Sequence, residues 1–440
     1  MSECLEQQLR ANTPFYQNCA DILAILRRQR LRDPRICDRI VSFYLSIRLG
    51  FGSCNDNIRR PAPCLNGINK GCSVTDLANT SALGKTLSQL PTDWYFDPQI
   101  FEIEKKVLFE NGPGYVGHER MVPNLGDYYT LEWLGNAKML VRNAAGIELL
   151  SNICRHRQAV MLKGRGNAQN IVCPIHRWTY DTQGTLLGAP HFPGNPCLHL
   201  GKQALSSWNG LLFRGGRDVA RDLASLSALG DLDFSGYLLD RVMIDHYDFG
   251  WKTFIEVYLE DYHVAPYHPG LGHFVTCDDL AWQFGDWHSV QTVGINRDFA
   301  HPGSPVYAKW HEQLLRYDQG KLPPHGAIWL TYYPNVMVEW YPHVLVVSTV
   351  WPTSLETCVN VVEFYYPEDI ALFEREFVEA EQAAYKETAI EDEDICLRMQ
   401  EGRRALFKQG TGEVGPYQSP MEDGMLHFHD FLRAQITPHL

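Results

Sequence analysis

The chain has 440 residues, of which 45% are hydrophobic and 21% charged, and its formal net charge at pH 7 is −13. This length allows two domains with a core each, and the negative charge disfavours a nucleic-acid-binding surface. The longest apolar runs, such as 344–350, are too short to cross a membrane. The chain also opens without a secretory leader, so we expect a cytoplasmic protein without membrane contact.

Residues 1–86 differ in composition from the rest of the chain. They hold 12 Lys and Arg against 7 Asp and Glu, whereas the remainder holds 27 against 45. A helix is possible over 20–31, but 50–82 mix Gly, Asn, Ser and Pro without a period, which is typical of loop or disorder. We interpret 1–86 as a poorly ordered, non-essential extension. A transit peptide and a small regulatory appendage are the alternatives.

Beyond residue 86 the patterns indicate both helices and strands. Helical spacing covers 100–110, and short β-like runs with Gly and Pro turns follow over 115–213. A strand is predicted over 242–247 and an amphipathic helix over 251–265. Four antiparallel strands and then one long helix complete the prediction: 328–333, 336–341, 344–351, 358–366 and 370–407.

The motif Cys154-x-His156, followed after sixteen residues by Cys173-x-x-His176, is the strongest signal in the chain. Two thiolates and two imidazoles at this spacing fit a Rieske [2Fe–2S] cluster, with Cys on one iron and His on the other. A structural zinc site is the alternative, but zinc modules pair Cys with Cys and His with His. Because imidazole ligation raises the reduction potential, the site suits transfer of single electrons.

Glu256, Glu260, His263 and His268 form the second candidate site. At about 100° per residue, the first three lie on one face of the predicted helix. Pro266 disfavours continuation of that helix, which lets His268 return to the side of His263. Two histidines beside carboxylates suit Fe(II), which oxygenases hold with two His and one carboxylate while positions stay open. The third ligand must come from elsewhere in the chain.

Together these motifs resemble the alpha subunits of aromatic-ring-hydroxylating and related Rieske oxygenases, the choline-monooxygenase type included. The similarity runs from about Leu90 to the C terminus. The resemblance implies Cys154, His156, Cys173 and His176 as cluster ligands.

For the mononuclear iron, the resemblance implies His263, His268 and a late carboxylate from a Glu-Asp pair that precedes a Gln. This pattern selects Asp392, which lies before Gln400, and makes Asp394 the second choice. The other acidic residues around Asp392 are interpreted as a solvated surface.

The resemblance also implies a homotrimer in which the cluster of one subunit lies beside the iron of the next. Glu260 would bridge the two centres, facing His176 across the interface. Many family members carry Asp there, and Glu recurs in relatives that act on quaternary amines. Glu256 replaces an Asn found near the iron in some ring dioxygenases. Both departures disfavour a simple naphthalene-type enzyme.

The fold implied by the resemblance is α+β. A small antiparallel β domain with the [2Fe–2S] cluster is expected over 115–215. A catalytic domain is expected over 216–440, with a curved antiparallel sheet packed on a long helix in a helix-grip, START-like arrangement. Residues 87–114 add an N-terminal helix to the catalytic part.

The implied function is the oxygenase component of a multicomponent system. Electrons from NAD(P)H would arrive through a reductase or ferredoxin, since the chain shows no GxGxxG element of its own. O₂ would then hydroxylate an aromatic or small organic substrate, once or twice, or remove a methyl group oxidatively. An electron carrier without catalysis is a distant alternative, because it leaves His263 and His268 without a purpose.

A quaternary ammonium substrate, such as betaine, carnitine or choline, is the nearer alternative. Such a cation would favour aromatic faces around it. The aromatic residues available for a cage are Trp282, Trp287, Trp310, Trp329, Tyr332 and Trp340.

Overall fold

The computed structural model of the chain describes residues 88–440. The predicted extension over 1–86, with its possible helix at 20–31, lies outside the described residues. Within 88–440, no helix has both the length and the apolar character needed to cross a bilayer.

The described chain opens with two short helices and a π-helical segment: α1 (Asp93–Phe96), α2 (Pro98–Glu104) and Lys105–Glu110. The start of α2 is capped, because the Asp97 carboxylate accepts the N–H of Gln99 at 2.7 Å and Pro98 occupies the first turn. The helix predicted over 100–110 therefore starts earlier than its pattern indicated, and its second half is π-helical.

Short antiparallel strands follow, as the Gly- and Pro-punctuated runs predicted. They are β1 (Tyr115–His118), β2 (Asp127–Thr130), β3 (Lys138–Asn143), β4 (Gly146–Ser151), β5 (Arg165–Asn167), β6 (Asn170–Val172), β7 (Thr179–Asp181), β8 (Leu186–Gly188), β9 (Lys202–Gln203), β10 (Ser206–Trp208) and β11 (Leu211–Phe213). In the described chain they form three sheets, β1-β11-β10, β5-β2-β3-β4-β9 and β6-β7-β8. Because β1 pairs with β11, the two ends of this segment meet.

The second half contains one larger antiparallel sheet in the order β12-β18-β17-β16-β15-β14-β13. Its strands are β12 (Tyr237–Tyr247), β13 (Val275–Gly285), β14 (His288–Ile295), β15 (Ala327–Tyr332), β16 (Val336–Tyr341), β17 (Val344–Pro352) and β18 (Cys358–Pro367). The four consecutive strands predicted from 328 onwards are confirmed to within one residue. The strand predicted over 242–247 is longer than expected and begins at Tyr237.

The helices of this half lie before, between or after its strands. They are α3 (Val219–Asp222), α4 (Trp251–Tyr258), α5 (Val264–Tyr267), α6 (Leu271–Phe274), α7 (Pro305–Tyr317), α8 (Glu368–Phe373), α9 (Arg375–Gln409) and α10 (Asp423–Ile436). 3-10 turns occur in this half at Ser227–Gly230 and Thr437–His439, and in the first half at Glu119–Met121 and Glu132–Leu134.

The helix predicted over 251–265 is wrong in its C-terminal half. α4 ends at Tyr258, and the N–H of Asp261 donates to the carbonyl of Met421 at 2.9 Å instead of continuing the helix. Pro266 lies inside α5, so it does not end α4 as expected. A tertiary hydrogen bond rather than a local signal therefore accompanies the break, and the residues after Tyr258 leave its helix face.

The long helix predicted over 370–407 is divided in two. α8 ends at Phe373, and α9 then runs for 35 residues. α9 ends at Gly410, whose φ of 67° suits the left-handed position that follows a helix. The N-terminal half of α9 and the sheet enclose a core cluster that includes Val346, Phe364 and Phe377.

Strands β16 to β18 are mostly buried on both faces. One face packs toward α9, whereas the other packs on a second core cluster that contains Leu211, Leu223 and Phe234. Burial on both faces explains why these strands read as nearly continuous apolar runs. A Glu that interrupts such a run therefore has to be accommodated inside the protein.

Candidate metal centres

Two equivalent turns carry the Cys and His residues of the first motif. In each turn the cysteine carbonyl accepts the N–H of the residue four positions later, Gln158 at 3.0 Å or Arg177 at 3.1 Å. Those two residues have φ values of 59° and 60°. The turns differ in the position of the histidine. His156 lies two residues after Cys154, whereas His176 lies three residues after Cys173. The two loops therefore share one backbone turn, although the spacing is Cys-x-His in one loop and Cys-x-x-His in the other.

The two turns face each other with sulfur inside and imidazole outside. Cys154 and Cys173 are 1% and 2% exposed, and burial raises the pKa of the Cys173 thiol. His156 is half-buried and His176 is exposed, with their ring centroids 4.5 Å apart. Trp178 stacks on His156 at 5.2 Å. Aromatic and apolar packing thus shields one side of the site and leaves an imidazole edge at the surface.

These four side chains fit a two-iron cluster better than a zinc ion. Within residues 88–440, His263, His268 and Asp392 of the second motif have ligand atoms that all lie within 4.8 Å of one another. The four residues of the first motif do not form such a group. A tetrahedral zinc ion would require such convergence on one point. The Nδ1 atom of His156 is buried without a hydrogen-bond partner in the described chain. Two separated pairs of ligands, one of sulfur and one of nitrogen, instead match a [2Fe–2S] cluster.

The second centre is assembled from two helices, α5 and α9. His263 precedes α5, His268 follows it, and Asp392 projects from α9. The Oδ1 atom of Asp392 lies 3.1 Å from Nε2 of His268 and 3.4 Å from Nε2 of His263. This buried oxygen nevertheless makes no well-directed hydrogen bond within the described residues. The three atoms are close without pointing at one another, as expected of ligands that point at a common ion.

Charge in this centre favours a bound cation. Burial by itself lowers the pKa of His263, but Asp392 and Glu260 outweigh burial and raise the pKa to about 10. Burial raises the pKa of Asp392, but the two histidines outweigh it and lower the pKa to about 2. Positive charge is therefore strongly stabilised among these side chains. Two imidazoles and one carboxylate are the donor set of non-haem iron oxygenases.

A carboxylate holds the outer nitrogen of each imidazole. Nδ1 of His263 lies 2.5 Å from Oε1 of Glu260, and Nδ1 of His268 lies 2.7 Å from Oε2 of Glu391. Such partners fix the ring orientation and increase the basicity of the ligating nitrogen. Sequence reasoning missed Glu391, which it assigned to the solvated surface. The available signal was its position beside Asp392, the residue selected as a ligand.

Two other acidic residues singled out from the sequence lie away from the centre. Asp394 is half-buried on α9, where its carboxylate accepts hydrogen bonds from Arg398 at 2.6 Å and from the Tyr267 hydroxyl. Glu256 is fully buried in a different cluster, 2.6 Å from Arg403 and 2.8 Å from His429. Burial raises the pKa of Glu256, but Arg403 and His429 outweigh burial and lower it to about 2. The expectation that Glu256 shares a face with His263 is therefore wrong.

A cavity of about 110 Å³ adjoins His263, His268 and Asp392 between α9 and the sheet. Of the aromatic residues considered for a cage, Trp310 and Trp329 line it, whereas Tyr332 and Trp340 pack on the opposite face of the sheet. The cavity is lined by one lysine, Lys386, and by more acidic residues than basic ones. Besides Asp392, the acidic residues are Asp245, Glu260, Asp261, Glu339, Glu381 and Glu393.

Two family models match the chain. The model described as the Rieske [2Fe-2S] domain matches residues 113–202, and the model described as the ring hydroxylating alpha subunit catalytic domain matches 236–437. The first match contains both candidate cluster turns, and the second contains His263, His268 and Asp392.

Similar proteins of known activity include two putrescine 2-hydroxylases. The enzyme from Ralstonia nicotianae is 62% identical over 360 residues, covering 82% of this chain and 99% of that protein. The enzyme from Bordetella bronchiseptica is 53% identical over 375 residues, covering 82% and 87%. The carnitine monooxygenase oxygenase subunit of Escherichia coli is 25% identical over 374 residues, covering 79% and 93%.

Solved structures share the fold at lower identity. A quaternary ammonium Rieske monooxygenase superposes with a TM-score of 0.66 at 19% identity, covering 80% of this chain and 96% of that one. Naphthalene 1,2-dioxygenase from Rhodococcus superposes with a TM-score of 0.61 at 19% identity, covering 80% and 95%.

Proposed function

The chain belongs to the alpha subunits of the Rieske non-haem iron oxygenases, and from this membership we propose that it hydroxylates an aliphatic diamine of the putrescine type. It is an oxidoreductase with a [2Fe–2S] domain and a mononuclear iron domain. The observation that carries the substrate class is the cavity beside the candidate iron ligands, in which carboxylates outnumber the one lysine. A putrescine 2-hydroxylase that is 62% identical supports the same class.

The residues proposed to hold the cofactors are those of the two centres. Cys154, His156, Cys173 and His176 would hold the cluster. When both are bound, the cluster supplies single electrons and the mononuclear iron supplies O₂ activation.

His263, His268 and Asp392 would hold the mononuclear iron. Glu260 and Glu391 fix the two imidazoles so that each Nε2 atom is directed at the site. The half-buried Asp392 carboxylate would balance the charge of the ion, and the cavity wall would exclude water from the substrate carbon.

Glu260 is proposed to connect the two centres across subunits. Its carboxylate accepts the Nδ1–H of His263 at 2.5 Å and the backbone N–H of His263 at 3.1 Å, while its side chain remains 14% exposed and keeps lone pairs for a further hydrogen bond. His176, whose ring is exposed, is the expected donor from the next subunit of a homotrimer. Inter-subunit electron transfer is described for the quaternary ammonium monooxygenase that shares this fold.

The overall reaction proposed is a monooxygenation. One atom of O₂ enters a C–H bond of the diamine and the other leaves as water, which consumes two electrons and two protons. A reductase or ferredoxin would bring the electrons from NAD(P)H. The domain limits of 115–215 and 216–440, and a cytoplasmic location, remain part of the proposal.

The cavity favours an ammonium substrate over a ring hydrocarbon. The buried Glu339 and Glu381 accept tyrosine hydroxyls but form no ion pair with a described basic residue. An apolar ring would leave these two carboxylates without a counter-ion, which is costly. A trimethylammonium group would neutralise charge but has no N–H to donate to carboxylate oxygens. A primary ammonium supplies both charge and three donors.

Purified chain tests the proposal when it is supplied with NADH and a generic ferredoxin–reductase pair. We expect putrescine to stimulate O₂ uptake and to yield a product heavier by one oxygen atom in mass spectrometry. Carnitine, choline and naphthalene are the comparison substrates. O₂ uptake and product with one of these, but not with putrescine, would overturn the proposed substrate class.

A further inference from the structure

We propose that Glu339 is the ammonium-binding residue of this cavity, in a pocket formed with Tyr258, Trp329, Tyr341 and Tyr385. The inference rests on the proposed diamine hydroxylation and names the residue that would recognise one end of the substrate.

Glu339 is a polar residue in an otherwise apolar strand, and its side chain points into the cavity. It lies on β16 and is 1% exposed. Its Oε2 atom accepts the hydroxyl of Tyr341 at 2.9 Å, and its Oε1 atom accepts the hydroxyl of Tyr385, on α9, at 3.2 Å. Trp329 donates in turn to the Tyr341 hydroxyl at 3.0 Å. The carboxylate is therefore held in a fixed position between the sheet and the helix.

The charge of Glu339 lacks a counter-ion within residues 88–440. No ion pair joins it to a described basic residue, and Lys386, which also lines the cavity, pairs with Asp245 at 3.0 Å. Burial raises the pKa of Glu339 to about 7, against the lowering effect of the two tyrosine hydroxyls. A buried carboxylate without a cation is costly. A bound ammonium would remove that cost.

The aromatic residues around Glu339 suit a cation. The Tyr258 hydroxyl is buried and has no hydrogen-bond partner among the described residues. Tyr258 and Trp329 lie with ring centroids 6.4 Å apart, and Trp329 and Tyr341 with centroids 6.2 Å apart. Ring faces attract an ammonium by cation–π interaction, and each carboxylate oxygen retains a lone pair for an N–H.

The position of Glu339 relative to the candidate iron ligands suits a short diamine. Tyr385, which holds Glu339, and Asp392 are seven residues apart on α9, about two turns or roughly 10 Å along the axis. Both line the cavity. An ammonium held at Glu339 would therefore place the carbons of the chain toward Asp392 and its histidines.

Binding of putrescine to the full-length chain, measured by isothermal titration calorimetry without an electron donor, tests the assignment. We expect Glu339→Gln to raise the Kd at least about tenfold, since loss of one partner of a buried charge pair is expensive. In turnover, KM should rise more than kcat falls, because the residue contacts a part of the substrate that does not react.

Glu363→Gln is the matched control. Glu363 is also a fully buried carboxylate that accepts two tyrosine hydroxyls, from Tyr115 at 2.9 Å and from Tyr365, but it does not line the cavity. Its Kd for putrescine should stay within about twofold of the original. Glu339→Met, an apolar replacement of similar volume, provides a second test should the amide disturb folding.

The outcomes separate this inference from the proposed function. If the unaltered chain neither binds nor hydroxylates putrescine, the proposed function fails. If it does both and the folded Glu339 variants bind putrescine as tightly as before, the proposed function stands and the role of Glu339 is overturned. Equal weakening by Glu363→Gln would also overturn that role, because the effect would then belong to any buried carboxylate.

Discussion

The two candidate metal centres are built in different ways. The residues of the cluster site lie within 23 positions of one another, on two turns that share one backbone pattern. The residues of the mononuclear site come from segments separated by more than 120 positions, between His268 and Asp392. The first site depends on local turn geometry, whereas the second depends on how α9 docks on the rest of the domain. Mutations should therefore separate the two sites.

The largest effect is expected for His263→Ala. Loss of one of two imidazoles should empty the mononuclear site and abolish product formation, because the remaining donors no longer form a complete set. The cluster absorbance should persist, since the two turns share no residue with this site. Iron and labile-sulfide analyses check both statements. Loss of the cluster along with the mononuclear iron would break the distinction between the two centres.

Glu260→Gln should separate electron transfer from metal binding. The amide offers one acceptor oxygen and places an NH₂ donor opposite the second imidazole, so a bridge between two histidines would be broken. We expect near-normal iron and cluster content, normal reduction of the cluster and product formation reduced by at least about a hundredfold. Stopped-flow reduction and product assays measure these steps. Full turnover, or loss of mononuclear iron, would contradict the bridging role.

Glu256→Gln should affect the assembly of the catalytic domain without touching its metal ligands. Glu256 joins Tyr95 of α1, Arg403 of α9 and His429 of α10 to α4. Removal of its charge leaves Arg403, whose side chain is 14% exposed, without its ion-pair partner, so we expect the free energy of unfolding to fall by about 3 kcal/mol. Urea denaturation followed by tryptophan fluorescence measures this loss.

The same variant should change how stability depends on pH. The pKa of Glu256 is lowered to about 2 from an ordinary 4.5, so its contribution is fully present above pH 4.5 and disappears as the pH falls toward 2. Glu256→Gln should lack this component of acid destabilisation. An identical loss of stability across that window in both proteins would contradict the buried ion pair.

Much of this architecture could be predicted from the sequence, and the exceptions have physical causes. The central strands and the cluster turns are encoded by local pattern and spacing. The end of α4 was missed because a hydrogen bond to Met421, far away in the sequence, accompanies it. Glu256 was misplaced for the same reason. Glu339 is visible in the sequence as an acidic residue within an apolar strand, but only the structure shows that it lines the cavity.

The smallest effect is expected for Glu391→Gln, which tests whether His268 needs a carboxylate at its Nδ1 atom to bind iron tightly. Its carboxylate lies 2.7 Å from Nδ1 of His268, and together with Asp392 it outweighs burial and raises the pKa of that histidine. Glu391→Gln keeps an acceptor oxygen but removes the charge, so the Nε2 atom of His268 becomes a less basic and weaker iron ligand. We expect iron affinity to fall about tenfold to a hundredfold, the usual cost of losing such a partner.

Asp394→Asn is the matched control for Glu391→Gln. Both changes remove one negative charge from the same part of α9, but Asp394 accepts hydrogen bonds from Arg398 and the Tyr267 hydroxyl and not from a candidate iron ligand. General loss of negative charge would weaken iron binding in both variants, whereas loss of support for His268 would weaken it only in Glu391→Gln. Competition with a chelator, at one ionic strength, distinguishes the two. If both variants lose iron equally, the negative charge of α9 matters and not the position of the Glu391 carboxylate beside His268. The mononuclear site would then depend less on how α9 packs against α5 than its geometry indicates.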